Sequence, residues 1–408
     1  MPAPPRFCYL VPAHHLLPTA GPSRNVLSLA RALAEFAEVT VAFRRIADPH
    51  AVPEGVRAEE LDPACPLPAE LPDDAAMRGL GAAETLRYLR RLLAWAADAA
   101  RRFDVVLEKT WLFSGTLSAR ILAAGCVGVP VENFAPDPAR YAGDLAKRLR
   151  LSLARAVAGR ALRACPRIIA ETGPLRASLV RAYGLDPARI EVVPLGIDPQ
   201  MFRPIPQDAA RARLGLPPDA LILLYVGVLD RTHDLGPLLA AMAAIGRQEL
   251  PPGLELHLVG TGTRREEYGE MARRHGLPVV FHGRRPHAEV PWWIAAADLC
   301  LAPYDAAVFA AGELGYATMK IPEYLAVGRP VVSVPHGRPA KLVRPGDTGF
   351  LFDNRADLWQ SFLRSLPGRD VLAAMGERAA RTPVPTWREV ARRYFEIAMD
   401  LRERRRAA

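Results

Sequence analysis

Lys320 and Glu323 lie three residues apart in the segment KIPEYLAVGRPVVS, which runs from residue 320 to residue 333. Proline fits the first turn of a helix and glycine commonly ends one, so Pro322 and Gly328 predict a short helix that begins near Lys320 and stops at Gly328. The start of such a helix offers free backbone N–H groups and a positive dipole end, which suit a diphosphate. Glu323 could accept two hydrogen bonds from a ribose diol. A helix-capping glutamate beside a solvated lysine is an equally open alternative.

Other phosphate, dinucleotide and metal chemistries find little support in the sequence. The chain contains no GxxxxGKS or GxxxxGKT loop, which argues against a P-loop kinase. The segment GTGTRR at 260–265 lacks the third glycine of a dinucleotide fingerprint. The chain has no DxD pair and no histidine cluster, so we expect a site that works without a bound metal or other cofactor.

Strand and helix patterns alternate along the chain, which predicts parallel sheets covered by helices. The first series of predicted strands is Arg6–Val11, Glu38–Phe43, Asp104–Glu108, Val129–Phe134, Arg167–Thr172 and Ile190–Pro194. The second series is Leu221–Gly227, Leu254–Gly260, Val279–His282, Leu299–Pro303, Pro330–Val334 and Gly349–Phe352. Because 408 residues are too many for one core, we predict two doubly wound α/β domains with a hinge near Gly196.

The net charge of +9 has several explanations that the composition leaves open. An ordinary solvated surface, an anionic membrane and an acidic substrate are each compatible with it, whereas no nucleic-acid-binding motif is present. The stretch from Lys147 to Arg163 predicts a basic amphipathic helix, which either faces solvent or lies on a membrane. With no signal peptide and no membrane-spanning run, we expect a cytoplasmic protein that could sit peripherally on the inner membrane face.

Several motifs in the two halves resemble glycosyltransferase family 4, whose members have the GT-B fold. In the C-terminal half these are VPLGID (193–198) with FRP (202–204), LVGTG (258–262), FHG (281–283), AADLCLAP (296–303) and KIPEY (320–324). In the N-terminal half they are GPSR (21–24), EK (108–109), EN (132–133) and IAET (169–172). Each motif is only moderately specific, but their order and spacing cover nearly the whole chain.

The resemblance implies a GT-B fold of two Rossmann-like domains facing across a cleft. The expected N-terminal acceptor domain is 1–196, the C-terminal nucleotide-sugar domain is 197–384, and a helix in 385–408 packs back on the first domain. The implied activity is transfer of a sugar from a nucleotide-diphosphate sugar, such as a UDP- or GDP-sugar, to an acceptor hydroxyl. Retention at the anomeric carbon is part of that expectation. The expected products are polysaccharides, glycolipids or glycosylated metabolites, and the acceptor could be lipid-linked.

The resemblance also implies a set of site residues. Glu323 would hold the ribose, Lys320 with nearby amides would hold the diphosphate, and Gly21 would let a loop approach the phosphate closely. The expected nucleotide-sugar-binding residues are Gly21, Gly227, Arg231, His233, Gly262, Arg284, Lys320 and Glu323, and the expected catalytic residues are Glu132, Asn133 and Glu313.

The chain departs from the family pattern at positions that matter for chemistry. The family's diphosphate-clamping arginine and lysine are replaced by Val228 and by His233, a weaker and pH-dependent cation, for which Arg231 could compensate. Its first paired glutamate is replaced by Gly315, with Glu313 nearby, and its acceptor-side histidine is replaced by Asn133, which cannot act as a base. A degenerate, non-catalytic partner protein and a GT-B sugar-nucleotide epimerase therefore remain alternatives.

Overall fold

The structure is a computed structural model that describes residues 3–16, 21–67, 81–135, 143–305 and 317–407. The chain forms two compact units. The first contains Met1–Gly196 and Pro385–Ala408, and the second contains Ile197–Leu314 and Thr318–Val384. Each unit is built on a parallel sheet with helices packed against it. The prediction of two doubly wound Rossmann-like domains is therefore confirmed.

The described part of the first unit forms a seven-stranded parallel sheet in the spatial order β3-β2-β1-β4-β5-β6-β7. Its strands are β1 (Arg6–Val11), β2 (Glu38–Phe43), β3 (Val56–Glu60), β4 (Val105–Lys109), β5 (Val127–Glu132), β6 (Ile168–Ala170) and β7 (Ile190–Val192). Its helices are α1 (Gly21–Leu33), α2 (Ala82–Arg102), α3 (Thr116–Ala123), α4 (Leu145–Ala164), α5 (Gly173–Tyr183) and α14 (Trp387–Ala407).

Strand β3 is missing from the sequence-based prediction. It pairs with β2 at the edge of the sheet, and its sequence VRAEE buries only the first side chain. An edge strand with a solvated face needs few apolar residues, so no apolar run marks it. The bounds of β1 and β2 match the prediction, whereas the other predicted strands differ from the observed ones by a few residues at one or both ends.

The C-terminal helix α14 packs within the first unit, mainly against α1. The ring of Phe395 stacks on Phe7 of β1 with centroids 5.7 Å apart. Arg402 forms an ion pair of 2.6 Å with Asp104, directly before β4. The side chain of Trp387, at the start of the helix, is buried. The last helix is thus an integral part of the first unit's packing.

The described part of the second unit forms a six-stranded parallel sheet in the order β10-β9-β8-β11-β12-β13. Its strands are β8 (Leu221–Val226), β9 (Leu254–Val259), β10 (Val279–Gly283), β11 (Leu299–Ala302), β12 (Val331–Ser333) and β13 (Gly349–Leu351). Its helices are α6 (Gln207–Leu214), α7 (Gly236–Ile245), α8 (Arg265–His275), α9 (Val290–Ala296), α10 (Lys320–Val327), α11 (Pro339–Leu342), α12 (Ala356–Arg364) and α13 (Arg369–Ala379).

The strand order of the second sheet reverses between β8 and β11, because β9 and β10 lie on one side of β8 and β12 and β13 lie beyond β11. In open α/β sheets, ligands bind beside the carboxyl ends of the strands at such a switch point. Strand β8 ends at Val226 and β11 ends at Ala302, so the residues that follow them mark the place where a ligand of this unit is expected.

Candidate functional site

The loop after β8 brings a glycine backbone against Lys320. Gly227 has a φ of 146°, a region that L-residues with side chains rarely adopt. A β-carbon on Gly227 would lie 3.1 Å from Nζ of Lys320 and 3.0 Å from Oη of Tyr225. The absence of a side chain at Gly227 therefore makes room for the lysine at the switch point.

Two tyrosines surround the Lys320 ammonium group. Nζ donates a hydrogen bond of 3.2 Å to Oη of Tyr225 and lies 4.5 Å from the centre of that ring. It also lies 5.7 Å from the ring centre of Tyr304, which follows β11. Lys320 thus sits between the ends of the two strands that flank the switch point, where the ring faces attract its positive charge.

Burial and nearby carboxylates act in opposite directions on Lys320. Burial lowers its pKa to about 7, and the negative charges of Asp230 and Glu323 offset only part of that effect. Near neutral pH the lysine is therefore close to the midpoint of its titration. A phosphate group placed beside it would favour the protonated form.

His233 is a neutral hydrogen-bonding group in this structure. Its Nδ1 lies 3.0 Å from Oδ1 of Asp230, and its backbone N–H donates to the same oxygen at 2.9 Å. Burial, followed by the charge of Lys320, lowers the pKa of His233 to about 4. At neutral pH it therefore does not supply the pH-dependent positive charge that the sequence suggested.

Gly262 helps to position the Gly227 loop. A β-carbon on Gly262 would lie only 2.3 Å from the carbonyl oxygen of Leu229. A β-carbon on Gly260 would similarly meet the carbonyl oxygen of Gly227. The N–H of Leu229 donates to the carbonyl of Thr261 at 3.0 Å, which ties the two loops together. Small residues after β9 thus allow a backbone contact that holds the loop after β8.

Helix α10 starts at Lys320 and is closed by Gly328 in the left-handed conformation, with φ of 81°. No side chain caps its N-terminus, and Glu323 lies in its first turn. Residues three apart lie on one face of a helix, so Lys320 and Glu323 face the same side. The Glu323 side chain is mostly buried, and its Oε1 lies 3.9 Å from Nε2 of His287.

The two arginines predicted to bind the nucleotide sugar are exposed, and each lies in a loop that follows a strand of the second unit. Arg231 lies in the loop after β8, four residues beyond Gly227. Arg284 follows Gly283 directly, at the end of β10. The described residues contain no group of three or more histidines, cysteines, aspartates or glutamates arranged to hold a metal ion.

Glu132 and Asn133 lie at the carboxyl end of β5 in the first unit. The hydroxyl of Thr110 lies 3.2 Å from Oε2 of Glu132, and it accepts a hydrogen bond of 2.7 Å from the backbone N–H of Asn133. Burial, and then the nearby carboxyl group of Glu108, raises the pKa of Glu132 to about 8. Oδ1 of Asn133 is buried, with no hydrogen-bond partner among the described residues. It is therefore able to accept a hydrogen bond from a ligand.

A second group of polar side chains lies at the carboxyl ends of β1, β4 and β6. Nζ of Lys109 is 3.8 Å from Oε1 of Glu171, and both side chains are buried. Burial, and then the positive charge of Lys109, lowers the pKa of His14 to about 4, so this histidine is neutral at physiological pH. Gly21 is the first residue of α1, further along the same loop. Glu313 and Gly315 lie outside the described residues.

Sequence reasoning missed several residues that the structure places near the predicted ones, among them Tyr225, Asp230, His287 and Tyr304 in the second unit. The sequence does carry a signal for the two tyrosines, because each lies at the end of an apolar run that leads to the switch point. His287 carries no comparable signal, because its proximity to Glu323 arises from the packing of a turn after β10 against α10.

Two family models match this chain. The model described as "Glycosyltransferase Family 4" matches residues 19–201, and the model described as "Glycosyl transferases group 1" matches residues 220–366. The D-inositol 3-phosphate glycosyltransferase of Nocardioides sp. (strain ATCC BAA-499 / JS614) is 32% identical over 329 residues, which are 75% of this chain and 69% of the relative. D-inositol 3-phosphate glycosyltransferase 1 of Catenulispora acidiphila is 29% identical over 359 residues, which are 80% of this chain and 77% of the relative.

Solved structures show the same fold at lower identity. Sucrose-phosphate synthase from Thermosynechococcus elongatus has a TM-score of 0.74 at 21% identity, with 97% of this chain and 99% of that chain covered. Anabaena HepE, in complex with UDP and glucose, has a TM-score of 0.70 at 18% identity, with 97% and 100% covered.

Proposed function

Because the chain belongs to glycosyltransferase family 4 and is a glycosyltransferase, we propose that it transfers a sugar from a nucleoside-diphosphate sugar to an acceptor hydroxyl group. The arrangement around Lys320 carries the proposal. A cation at the switch point, a glycine backbone beside it and a glutamate on the same helix face suit a diphosphate followed by a ribose. UDP is the first nucleotide to test, since HepE was solved with UDP and glucose, and GDP is the second.

In the proposed reaction the bond between the anomeric carbon and the diphosphate oxygen breaks, and its electron pair leaves with the nucleoside diphosphate. Negative charge grows on the diphosphate while the anomeric carbon gains oxocarbenium character. Protonated Lys320 and the N–H groups at the start of α10 stabilise that charge without a metal ion. Retention requires the acceptor oxygen to attack from the face that the diphosphate leaves, and the hydroxyl proton then passes to a departing phosphate oxygen.

Proton transfer to the departing phosphate needs no general base from the protein, which is consistent with the asparagine at position 133. An asparagine cannot take a proton, but its side-chain oxygen can orient a hydroxyl group of a substrate. The hydrogen bonds among Thr110, Glu132 and Asn133 hold that position in place. Glu132 is protonated at neutral pH because its pKa is raised to about 8, so it too is not a general base there.

The acceptor is a hydroxyl compound of one of two classes. The relatives named above act by name on D-inositol 3-phosphate, a small polar acceptor. An exposed apolar stripe on α4 instead suits a lipid-linked acceptor presented at a membrane. Four side chains at intervals of four residues form this stripe, and they are 38–68% exposed: Leu145, Leu149, Leu153 and Val157. Exposed arginines lie beside it, including Arg148, Arg150 and Arg160.

An apolar stripe flanked by positive charges matches the surface of an anionic bilayer. The described part of the chain has no helix with the length and apolarity needed to cross one. We expect the protein to co-sediment with vesicles containing phosphatidylglycerol. The double variant Leu149→Glu/Leu153→Glu should no longer co-sediment with them. Leu86→Glu is the matched control, because Leu86 is 49% exposed on α2 in the same unit. Failure of the unchanged protein to bind anionic vesicles would remove the membrane from the proposal.

The donor site is tested by thermal unfolding with UDP, GDP, ADP and CDP. A nucleotide at a hundredfold its dissociation constant adds roughly 2.7 kcal/mol to the free energy of unfolding. We expect a shift with one nucleotide that is lost in Glu323→Ala and kept in Glu377→Ala, an exposed glutamate of α13. Turnover is then measured with the matching nucleotide sugar and two acceptors, D-inositol 3-phosphate and a lipid-linked sugar in anionic vesicles. Stabilisation by none of the four nucleotides would contradict the proposed donor class.

A further inference from the structure

His287 places an unsatisfied nitrogen atom beside Glu323. Its Nε2 is buried and has no hydrogen-bond partner among the described residues. Buried polar atoms normally have partners, because an unpaired one loses its hydrogen bond to water without replacement. Oε1 of Glu323 lies 3.9 Å from this nitrogen. That separation is too long for a direct hydrogen bond.

The separation does suit one oxygen atom placed between the two groups. An oxygen about 2.8 Å from each atom would form two hydrogen bonds of ordinary length, meeting at nearly a right angle. A hydroxyl group meets both requirements, since it donates to the carboxylate and accepts from an imidazole N–H.

The surrounding structure fixes where the imidazole points. His287 begins a single 3-10 turn between β10 and α9, and its carbonyl accepts the N–H of Val290. The imidazole also packs against the buried ring of Phe202, with centroids 5.5 Å apart. The backbone of Glu323 is held in the first turn of α10. The two polar atoms are therefore held by separate elements of one unit.

We propose that His287 and Glu323 together hold one ribose hydroxyl of the nucleotide: the imidazole Nε2–H donates a hydrogen bond to the hydroxyl oxygen, and the hydroxyl donates one to the carboxylate of Glu323. This inference rests on the proposed function, because it assigns a second recognition group to the same donor site. It makes His287 a determinant of the preference for a ribonucleotide over a deoxyribonucleotide. Loss of the hydroxyl leaves both the carboxylate and the imidazole without their shared partner.

The test compares the affinity of UDP or GDP, whichever stabilises the unchanged protein, with that of its 2′-deoxy and 3′-deoxy forms. His287→Phe keeps a ring against Phe202 and removes the donor, and His287→Gln keeps an N–H donor at similar reach. We expect His287→Phe to weaken binding of the ribonucleotide about tenfold, the order of one hydrogen bond to a charged network. The same change should leave binding of one of the two deoxynucleotides unaltered. His287→Gln should recover part of the loss.

Three results would overturn the inference. Equal weakening of ribo- and deoxynucleotides by His287→Phe would show that the histidine only supports packing. Unchanged binding of all three nucleotides would show that it does not contact the ribose, while leaving the donor site itself in place. Absence of nucleotide binding by the unchanged protein would remove the proposed function and this inference together. If His287→Phe does not fold, the comparison of His287→Gln with His287→Asn, whose shorter amide does not reach Glu323, decides the question.

Discussion

Nζ of Lys320 lies 3.1 Å from the position that a β-carbon on Gly227 would occupy. The same β-carbon would lie 3.0 Å from the hydroxyl of Tyr225, the hydrogen-bond partner of that lysine. Gly227 also has a φ of 146°, which is strained for any residue with a side chain. The position of the Lys320 ammonium group therefore depends on the absence of a side chain at Gly227.

Replacing Gly227 with alanine should displace Lys320 and weaken nucleotide binding. We expect the dissociation constant for the nucleoside diphosphate to rise about tenfold or more, as for the loss of a hydrogen bond to a charged group. The strained backbone should also lower the free energy of unfolding by about 1–3 kcal/mol. Isothermal titration calorimetry and denaturant unfolding measure the two effects separately.

Gly276→Ala is the control for that substitution. Gly276 also has a positive φ, of 59°, but a β-carbon there would meet nothing within 4 Å. We expect this variant to lose some stability and to bind nucleotide as the unchanged protein does. Equal affinity of Gly227→Ala and the unchanged protein would contradict the placement of the diphosphate beside Lys320.

Binding of a nucleotide sugar should depend on pH through Lys320. Its pKa is lowered to about 7 by burial, against the opposing effect of Asp230 and Glu323. His233, with a pKa of about 4, stays neutral over this range. Above pH 7 the free lysine is increasingly neutral, so binding of the anionic diphosphate must take up a proton. We expect the affinity to be nearly constant below pH 6 and to fall by up to about tenfold per pH unit above pH 7.

A nucleotide sugar is the right probe, because its diphosphate is esterified at both ends and does not titrate in this range. Lys320→Arg should flatten the dependence of affinity on pH, since a guanidinium stays charged.

The pH dependence of the stability of the ligand-free protein supplies an independent check. Between pH 7 and 10.5 the unfolded state carries the lysine proton and the folded state does not, so the free energy of unfolding should rise with pH. This rise should be smaller in Lys320→Met, and identical profiles would refute the lowered pKa.

The bounds of α10 were predictable because they depend on local backbone chemistry. Pro322 is compatible only with the first turn, and Gly328 supplies the left-handed residue that ends the helix. Strand alternation likewise predicted both sheets, because buried parallel strands need continuous apolar runs. The edge strand β3 escaped prediction, since it pairs with only one other described strand and has only one buried side chain.

The environment of the candidate site was less predictable, because it depends on which strand ends become neighbours. Tyr225 and Tyr304 are far apart in sequence, and only the pairing of β8 with β11 brings both near Lys320. The pKa of His233 depends on burial and on the same lysine, neither of which its local sequence shows. The placement of His287 near Glu323 has the same origin.

Glu108 should contribute to stability rather than to chemistry. Its carboxylate accepts N–H hydrogen bonds from the Trp111 indole at 2.6 Å, from Gly115 at 3.0 Å and from Ser118 at 2.7 Å. Glu108→Gln turns one accepting oxygen into an NH₂ group and leaves at least one buried N–H unpaired. We expect the free energy of unfolding to fall by about 1–3 kcal/mol. Urea unfolding measures the loss, and Glu84→Gln, at an exposed position of α2, should have a smaller effect. Unchanged stability of Glu108→Gln would show that these hydrogen bonds are dispensable.

Gly196 should be required for the start of α14 to pack in the first unit. A β-carbon on Gly196 would lie 2.6 Å from the backbone nitrogen of Trp387 and 2.8 Å from its Cα. Because both atoms belong to the main chain, Gly196→Ala must shift the helix and loosen its buried tryptophan. We expect a loss of about 1–3 kcal/mol, as for overpacking of a core. Differential scanning calorimetry should show a lower Tm for the first unit, and fluorescence spectroscopy should show a change in tryptophan emission.

Gly143→Ala is the control, because nothing lies within 4 Å of the new carbon, and it should match the unchanged protein. Equal melting of the two variants would mean that the backbone at Gly196 can move away from α14 at no cost.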